Sequence, residues 1–202
     1  MRLEQINDLF GNADIYLIDA ILKGHIPEGK VLDIGFGQGR NLPYFLQTGF
    51  DVWGIESDEQ SIHFLEYFSN TFQSRKLNLI SGDILKMPFE ENFFDVVLCS
   101  RVLHLLDSKE SFIQGWNETL RVTKPNGVIY LTVSSTLNNS FYSEQPDGRM
   151  KFPDGSIQMA LTENILTSMD IDSECELLEN IRTITHRNYH SETVFLLRKK
   201  ST

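Results

Sequence analysis

Cysteine is scarce in this sequence: Cys99 and Cys175 are the only two in 202 residues, and neither sits in a C-x-x-C pair or at metal-ligand spacing from a histidine. This argues against a disulfide scaffold and a cysteine-based metal module, and it predicts a reducing, cytoplasmic setting. No apolar run approaches the roughly 20 residues that a membrane-crossing helix needs, so no membrane partner is expected. The opening stretch "MRLEQINDLFGNADIYLIDAIL" has acids inside its apolar part and no basic leader with a small-residue cleavage site, so it does not read as a signal peptide. The glycosylation-type triplets at Asn117 and Asn138 then have no compartment in which to matter. Positive charge is also short: 18 Lys and Arg against 28 Asp and Glu give a net charge of −10. Such a field repels phosphate backbones and argues against nucleic-acid substrates. What is present, 41% hydrophobic and 23% charged residues, fits one globular domain over residues 1–202.

Short β-branched runs alternate with helical patterns through most of the chain. "KVLDIG", "DVWGIE", "LNLISGD", "FFDVVLCS" and "GVIYLTVS" read as strands, with helices predicted at 39–47, 58–72 and 108–121. Before them, residues 13–23 read as an amphipathic helix burying Ile15, Ile18, Ala20, Ile21 and Leu22. The expected fold is α/β: a doubly wound, mostly parallel seven-stranded sheet with helices on both faces, Rossmann-like. Residues 136–156 are polar and turn-rich, with Pro-Asp-Gly triplets at 146–148 and 153–155 too closely spaced to form an architectural repeat. After a short helix near 162–169, "CELLENIRTITHR" and "YHSETVFLLRKK" read as two long antiparallel strands meeting in a turn near Asn188, a reversed hairpin at the sheet edge.

The stretch "VLDIGFGQGRNLPYFL" places Gly35, Gly37 and Gly39 between a buried strand and a helix. That is where a doubly wound sheet presents its strand ends to a ligand, and glycine allows both a tight turn and close approach to backbone N–H groups. A dinucleotide site requires G-x-G-x-x-G; here the spacing is G-x-G-x-G. Asp33, two residues before the first glycine, is awkward beside a pyrophosphate but suited to an ammonium group. About twenty residues on, Glu56 ends the second strand, where an acid accepts from ribose hydroxyls. Asp83 ends the third strand, placed to accept from an exocyclic amine. Three acids at three strand ends describe an adenosyl ligand without phosphate.

With these motifs the chain resembles the class I S-adenosylmethionine-dependent methyltransferases. "VLDIGFGQG" matches that family's first motif, "GIESD" its second, "SGDILKMPFEENFFDVVLCSRVLHLL" its third and fourth, and "RVTKPNGVIYLTV" the turn into its fifth strand. Within the family the likeness is to tellurite-resistance-type and related small-molecule enzymes. One departure is Phe36, where many relatives carry Cys; it is expected to pack behind the loop. The resemblance implies S-adenosylmethionine as cofactor and S-adenosylhomocysteine as product. It implies Asp33, Gly35, Gly37 and Gly39 around the methionine end, Glu56 and Ser57 at the ribose, and Asp83 and Ile84 at the adenine. Ser100 and Arg101 should face the acceptor, while Arg40 and Asn41 either bind ligand or cap the helix. A turn cap is the lesser reading of Asp83, and a solvated charge serves Arg101 equally well.

Methyl transfer from a sulfonium needs alignment and exclusion of water, and a general base is optional. The post-strand sequence "CSRV" lacks the Asn/Asp-Pro-Pro-aromatic motif of amino methylation and the Pro-Cys nucleophile of cytosine-C5 enzymes. His104 is a base candidate, with a histidine satisfied by a neighbouring carbonyl as the plainer reading. His186 and His190 bracket a turn rather than a helix face, so no metal is expected. Tyr16, Phe10, Phe141 and Tyr142 are aromatic candidates to cover the pocket, Tyr16 as a further catalytic candidate; core packing serves each equally well. Residues 1–26 are expected to form a lid and 136–156 a cover over the substrate. The predicted function is methyl transfer to a small molecule by a monomer or homodimer. The alternatives are a protein methyltransferase, a non-catalytic S-adenosylmethionine-binding module and, disfavoured by glycine spacing, a dinucleotide-dependent oxidoreductase.

Overall fold

The computed structural model describes residues 3–69, 77–137, 142–186 and 190–201. Two helices come first, α1 (Leu3–Phe10) and α2 (Ile15–Leu22), the second capped by Asp14, whose carboxylate accepts from the Tyr16 N–H. Strand and helix then alternate: β1 (Lys30–Ile34), α3 (Pro43–Thr48), β2 (Asp51–Glu56), α4 (Glu59–Ser69), β3 (Leu77–Ser81), β4 (Phe94–Ser100), α5 (Lys109–Val122) and β5 (Thr123–Ser134). A single 3-10 turn, Leu103–Leu105, links β4 to α5. Three two-residue strands follow, β6 (Ser143–Glu144), β7 (Met150–Lys151) and β8 (Ile157–Gln158), then α6 (Glu163–Met169), α7 (Ile171–Glu174), β9 (Cys175–Leu177), β10 (Arg182–His186) and β11 (His190–Lys199).

The main sheet runs β3-β2-β1-β4-β5-β11-β10, with β9 also on β11. The pairs from β3 to β5 are parallel, whereas β11 is antiparallel to β5, which is the reversed hairpin the sequence predicts. Alternation along β1 explains the two covered faces. Leu32 and Ile34 join one apolar cluster with Phe112 and Trp116 of α5 and Met169 of α6. Val31 points the other way, to Leu17 of α2, Phe45 of α3 and Leu65 of α4. Helices after β1 and β4 thus lie on opposite faces, so the switch point opens between those two strands.

Three expectations are corrected. The helix predicted from residue 39 starts only at Pro43, because Gly37 and Gly39 hold positive φ (+52° and +72°) and Pro at the first helical position sets the start. Residues 13–23 bury Ala20 as expected, but together with Leu17, which was not; Ile15 and Leu22, expected inside, are 67% and 69% exposed. "CELLENIRTITHR" is one strand interrupted: β9 and β10 both pair with β11 but break between them. There the Glu179 carboxylate meets Lys23 and His25 beside α2. The polar segment after β5 holds a small antiparallel sheet, β6-β7-β8, whose turns are the two Pro-Asp-Gly triplets. The turn predicted near Asn188 and the cover residue Phe141 lie outside the described residues.

Candidate functional site

The carboxyl ends of β1, β2 and β3 and the turn after β4 enclose a cavity of about 240 Å³. Gly35, Glu56, Ser57, Asp83 and Ile84 line one side, and Arg101, Val102, Leu105 and Leu106 the other. The glycines divide their work. A Cβ on Gly35 would lie 2.6 Å from Val102, so this position needs glycine for packing; a Cβ on Gly37 would meet nothing within 4 Å, so there glycine answers to the positive φ of +52°. Phe36 packs against Gly54 of β2, behind the loop as expected.

The three acids are held differently. Glu56 is fixed by backbone donors: Ser57 N–H (2.8 Å) and Asp58 N–H (3.1 Å) donate to Oε1 and Gly37 N–H (3.0 Å) to Oε2. These charge-assisted bonds tie the glycine loop to the end of β2 and leave lone pairs for hydroxyl donors. Asp83 is exposed, and one oxygen closes a turn by accepting from Leu85 N–H at 2.9 Å. The cap reading is therefore realised in Oδ1, while Oδ2 stays available. Asp33 is 2% exposed and its carboxylate has no hydrogen-bond donor among the described residues. Burial pushes its pKa up to about 7, with Arg40 pulling it down and Glu56 adding to the rise.

Ser100 and Arg40 stand together at the β4 end of the site. Arg40 Nη2 donates to Ser100 Oγ (3.2 Å) and Asp14 Oδ2 (3.4 Å), and Asn41 Oδ1 accepts from Asp14 N–H (3.0 Å). The N-cap of α2 is thereby joined to the glycine loop. Arg101 adopts φ +63°, a left-handed backbone uncommon outside glycine. Its side chain is bidentate on Glu192 of β11, Nε to Oε1 and Nη2 to Oε2, both 2.9 Å. Burial acts to raise the Glu192 carboxyl, but the Arg101 bonds and charge outweigh it and hold it below its usual range.

The catalytic candidates are not brought to the cavity. Tyr16 lines a separate depression with Asp19, Tyr130 and Arg182, its ring 5.4 Å from the Arg182 guanidinium carbon. His104 is buried, and its Nδ1 accepts from the Ser134 N–H at 3.3 Å. The ring proton must then reside on Nε2, so the imidazole offers a donor there rather than a base. Burial, followed by neighbouring His190, lowers its pKa to about 4. Phe10 is core, stacked on Tyr44 at 5.3 Å, and Tyr142 lines another hollow with Glu144 and Glu163. Sequence reasoning missed Asp14 and Glu192. The first carries a signal, an N-cap acid before "IYLIDAIL"; the second only that "SET" is a polar opening to an apolar strand.

Comparison with known proteins agrees with this geometry. Residues 32–131 match the family described as "Methyltransferase domain". The chain is 31% identical over 131 residues to sterol 24-C-methyltransferase of Pneumocystis carinii, covering 62% of this chain and 33% of that protein. It spans about a third to a half of the length of such curated relatives. Among solved structures, the PH0226 protein of Pyrococcus horikoshii superposes with a TM-score of 0.73 at 17% identity, over 99% of this chain and 100% of that one. Burkholderia thailandensis 1,6-didemethyltoxoflavin-N1-methyltransferase, with bound 1,6-didemethyltoxoflavin and S-adenosylhomocysteine, superposes at 0.68 and 18% identity, over 95% and 80% of the two chains. A family match across the strand ends that carry Asp33, Glu56 and Asp83, on a sheet of this order with a reversed strand, has one meaning: the chain belongs to the class I S-adenosylmethionine-dependent methyltransferases.

Proposed function

We propose that the chain transfers a methyl group from S-adenosylmethionine to a small-molecule acceptor. The observation that carries this reading is that Glu56 and Asp83, at adjacent strand ends, line one cavity together with Gly35, while Asp33 lies buried near the end of neighbouring β1, where it feels the charge of Glu56. The residues fit the cofactor at the point where fit is most demanding. Asp33 is a buried acid without a donor, and an ammonium group would supply donors and an opposite charge. Glu56 and Ser57 hold the ribose, Asp83 and Ile84 the adenine, and Arg40 and Ser100 the carboxyl side. When bound, S-adenosylmethionine supplies the electrophilic methyl carbon. Val102, Leu105 and Leu106 give the opposite wall an apolar surface. No histidine, cysteine, lysine or tyrosine is among the described lining residues, so the acceptor's proton leaves to solvent or the acceptor arrives ionised.

Two segments support a closed chamber. The N-terminal helices reach the glycine loop through Asp14, and the segment after β5 is fastened by the Met159 N–H donating to the His104 carbonyl (3.1 Å) and the Ser134 hydroxyl donating to Gln158 Oε1 (2.5 Å). We read these as lid and cover over a small acceptor, in a monomer or homodimer in the cytoplasm. Names among the relatives, a sterol methyltransferase and a didemethyltoxoflavin methyltransferase, favour the same class of acceptor. The test is transfer of radiolabelled methyl from S-adenosylmethionine into a metabolite extract fractionated by size. Label in the small-molecule fraction supports the proposal. Label in protein would replace it with a protein acceptor, and no transfer despite cofactor binding with a non-catalytic module.

A further inference from the structure

The wall facing the cofactor strand ends carries hydrogen-bond donors whose matching acceptors are already engaged. Arg101 uses Nε and Nη2 on Glu192, which leaves both N–H groups of Nη1 without a partner among the described residues, on a side chain 50% exposed at the cavity. Glu192 is only 6% exposed and holds the guanidinium plane from behind. The carboxylate beside Arg101, Glu192, is fully bonded to that guanidinium and offers no separate anchor for a cationic acceptor. A left-handed backbone at Arg101 is strained, and such strain persists only where the surroundings over-determine it. Here the bidentate clamp and the Arg101 N–H bond to the Thr132 carbonyl (2.9 Å) hold it.

Building on the methyltransferase reading, we propose that Arg101 selects the acceptor by binding a carboxylate on its open Nη1 edge, and that Glu192 is the positioning residue that aims it. A guanidinium presents a planar fork matched to a carboxylate, and a fixed orientation removes the entropy a free arginine would lose on binding. Lysine at this position is a flexible point charge that cannot be clamped from behind and still offer a directed edge.

The test uses the intact protein saturated with S-adenosylhomocysteine and matched probes, benzoate with benzamide and 4-hydroxybenzoate with 4-hydroxybenzamide, with affinities read by ligand-observed NMR titration. The expected result is that each acid binds at least about tenfold more tightly than its amide, and that Arg101→Gln and Arg101→Lys abolish the preference while S-adenosylhomocysteine affinity changes less than threefold. Glu192→Gln should shrink the acid-to-amide ratio, with Glu192→Asp restoring part of it. A purely structural role for Glu192 would weaken both probes together and leave the ratio unchanged. Equal binding of acids and amides, or binding of neither, to the loaded wild-type protein overturns the proposal while leaving the cofactor reading intact. Failure of the wild-type protein to bind S-adenosylhomocysteine overturns both.

Discussion

Replacing Asp33 by Asn isolates the cost of a buried acid that awaits a cation. With a folded pKa of about 7 against an ordinary carboxylate value of 3.8, the native state holds a proton that the unfolded chain has released. Stability from this group is therefore complete below about pH 4 and is lost as pH rises through about 7. At about 1.36 kcal/mol per unit, the stretch from pH 5 to pH 8 carries a loss of roughly 2.5 kcal/mol in the wild type that Asp33→Asn does not share. Titrations with urea at several pH values, without cofactor, give the wild-type-minus-mutant difference, in which every other ionisation cancels. The mutant should gain on the wild type across that window, whatever its absolute stability. In the same mutant, S-adenosylhomocysteine should bind at least tenfold more weakly, and wild-type binding at pH 7 should release protons, detected by calorimetry in buffers of different ionisation enthalpy. A pH-independent stability difference, or binding without proton release, would refute the reasoning that Asp33 is a desolvated acid matched to an ammonium group.

Glu56→Ala should weaken S-adenosylhomocysteine by about 1.5–3 kcal/mol, the scale of a hydrogen bond to a charged group, as measured by titration calorimetry; an unchanged affinity would place the ribose elsewhere. Asp83→Asn keeps the oxygen that accepts from Leu85 N–H, so it should lower affinity about tenfold with little change in melting temperature. Early melting with normal binding would make Asp83 a cap alone. His104→Leu leaves the buried Ser134 N–H without its acceptor and should cost about 1–3 kcal/mol of stability, read by denaturant unfolding. The pH profile of methyl transfer should not move, and a displaced limb would restore His104 as a base.

The glycine loop and the acids at the strand ends were legible in the sequence because their constraints are local. Three glycines that need positive φ follow a buried strand, and acids at the ends of consecutive parallel strands must converge on the same edge of the sheet. The pairings at the β4 end were not, because those contacts are distant in sequence: Arg101 meets Glu192 across 91 positions and Asp14 meets Arg40 across 26. Nothing in "SRV" or "SET" announces that pairing. The burial of α2 failed for a different reason. "IYLIDAIL" is apolar nearly all round, so periodicity establishes a helix without choosing its face; the choice fell to Leu17 and Ala20 when the helix packed on β1 and its neighbours. The break between β9 and β10 was equally hidden, since it follows from Glu179 turning to Lys23 and His25, partners more than a hundred residues earlier.

The central claim is that these strand ends hold an adenosyl amino acid and not a dinucleotide. Titration calorimetry of the wild-type protein with S-adenosylhomocysteine and, separately, with NADH tests it most directly. The account predicts one site per chain with micromolar affinity for S-adenosylhomocysteine and no heat from NADH. Tight binding of NADH with no response to S-adenosylhomocysteine would contradict it.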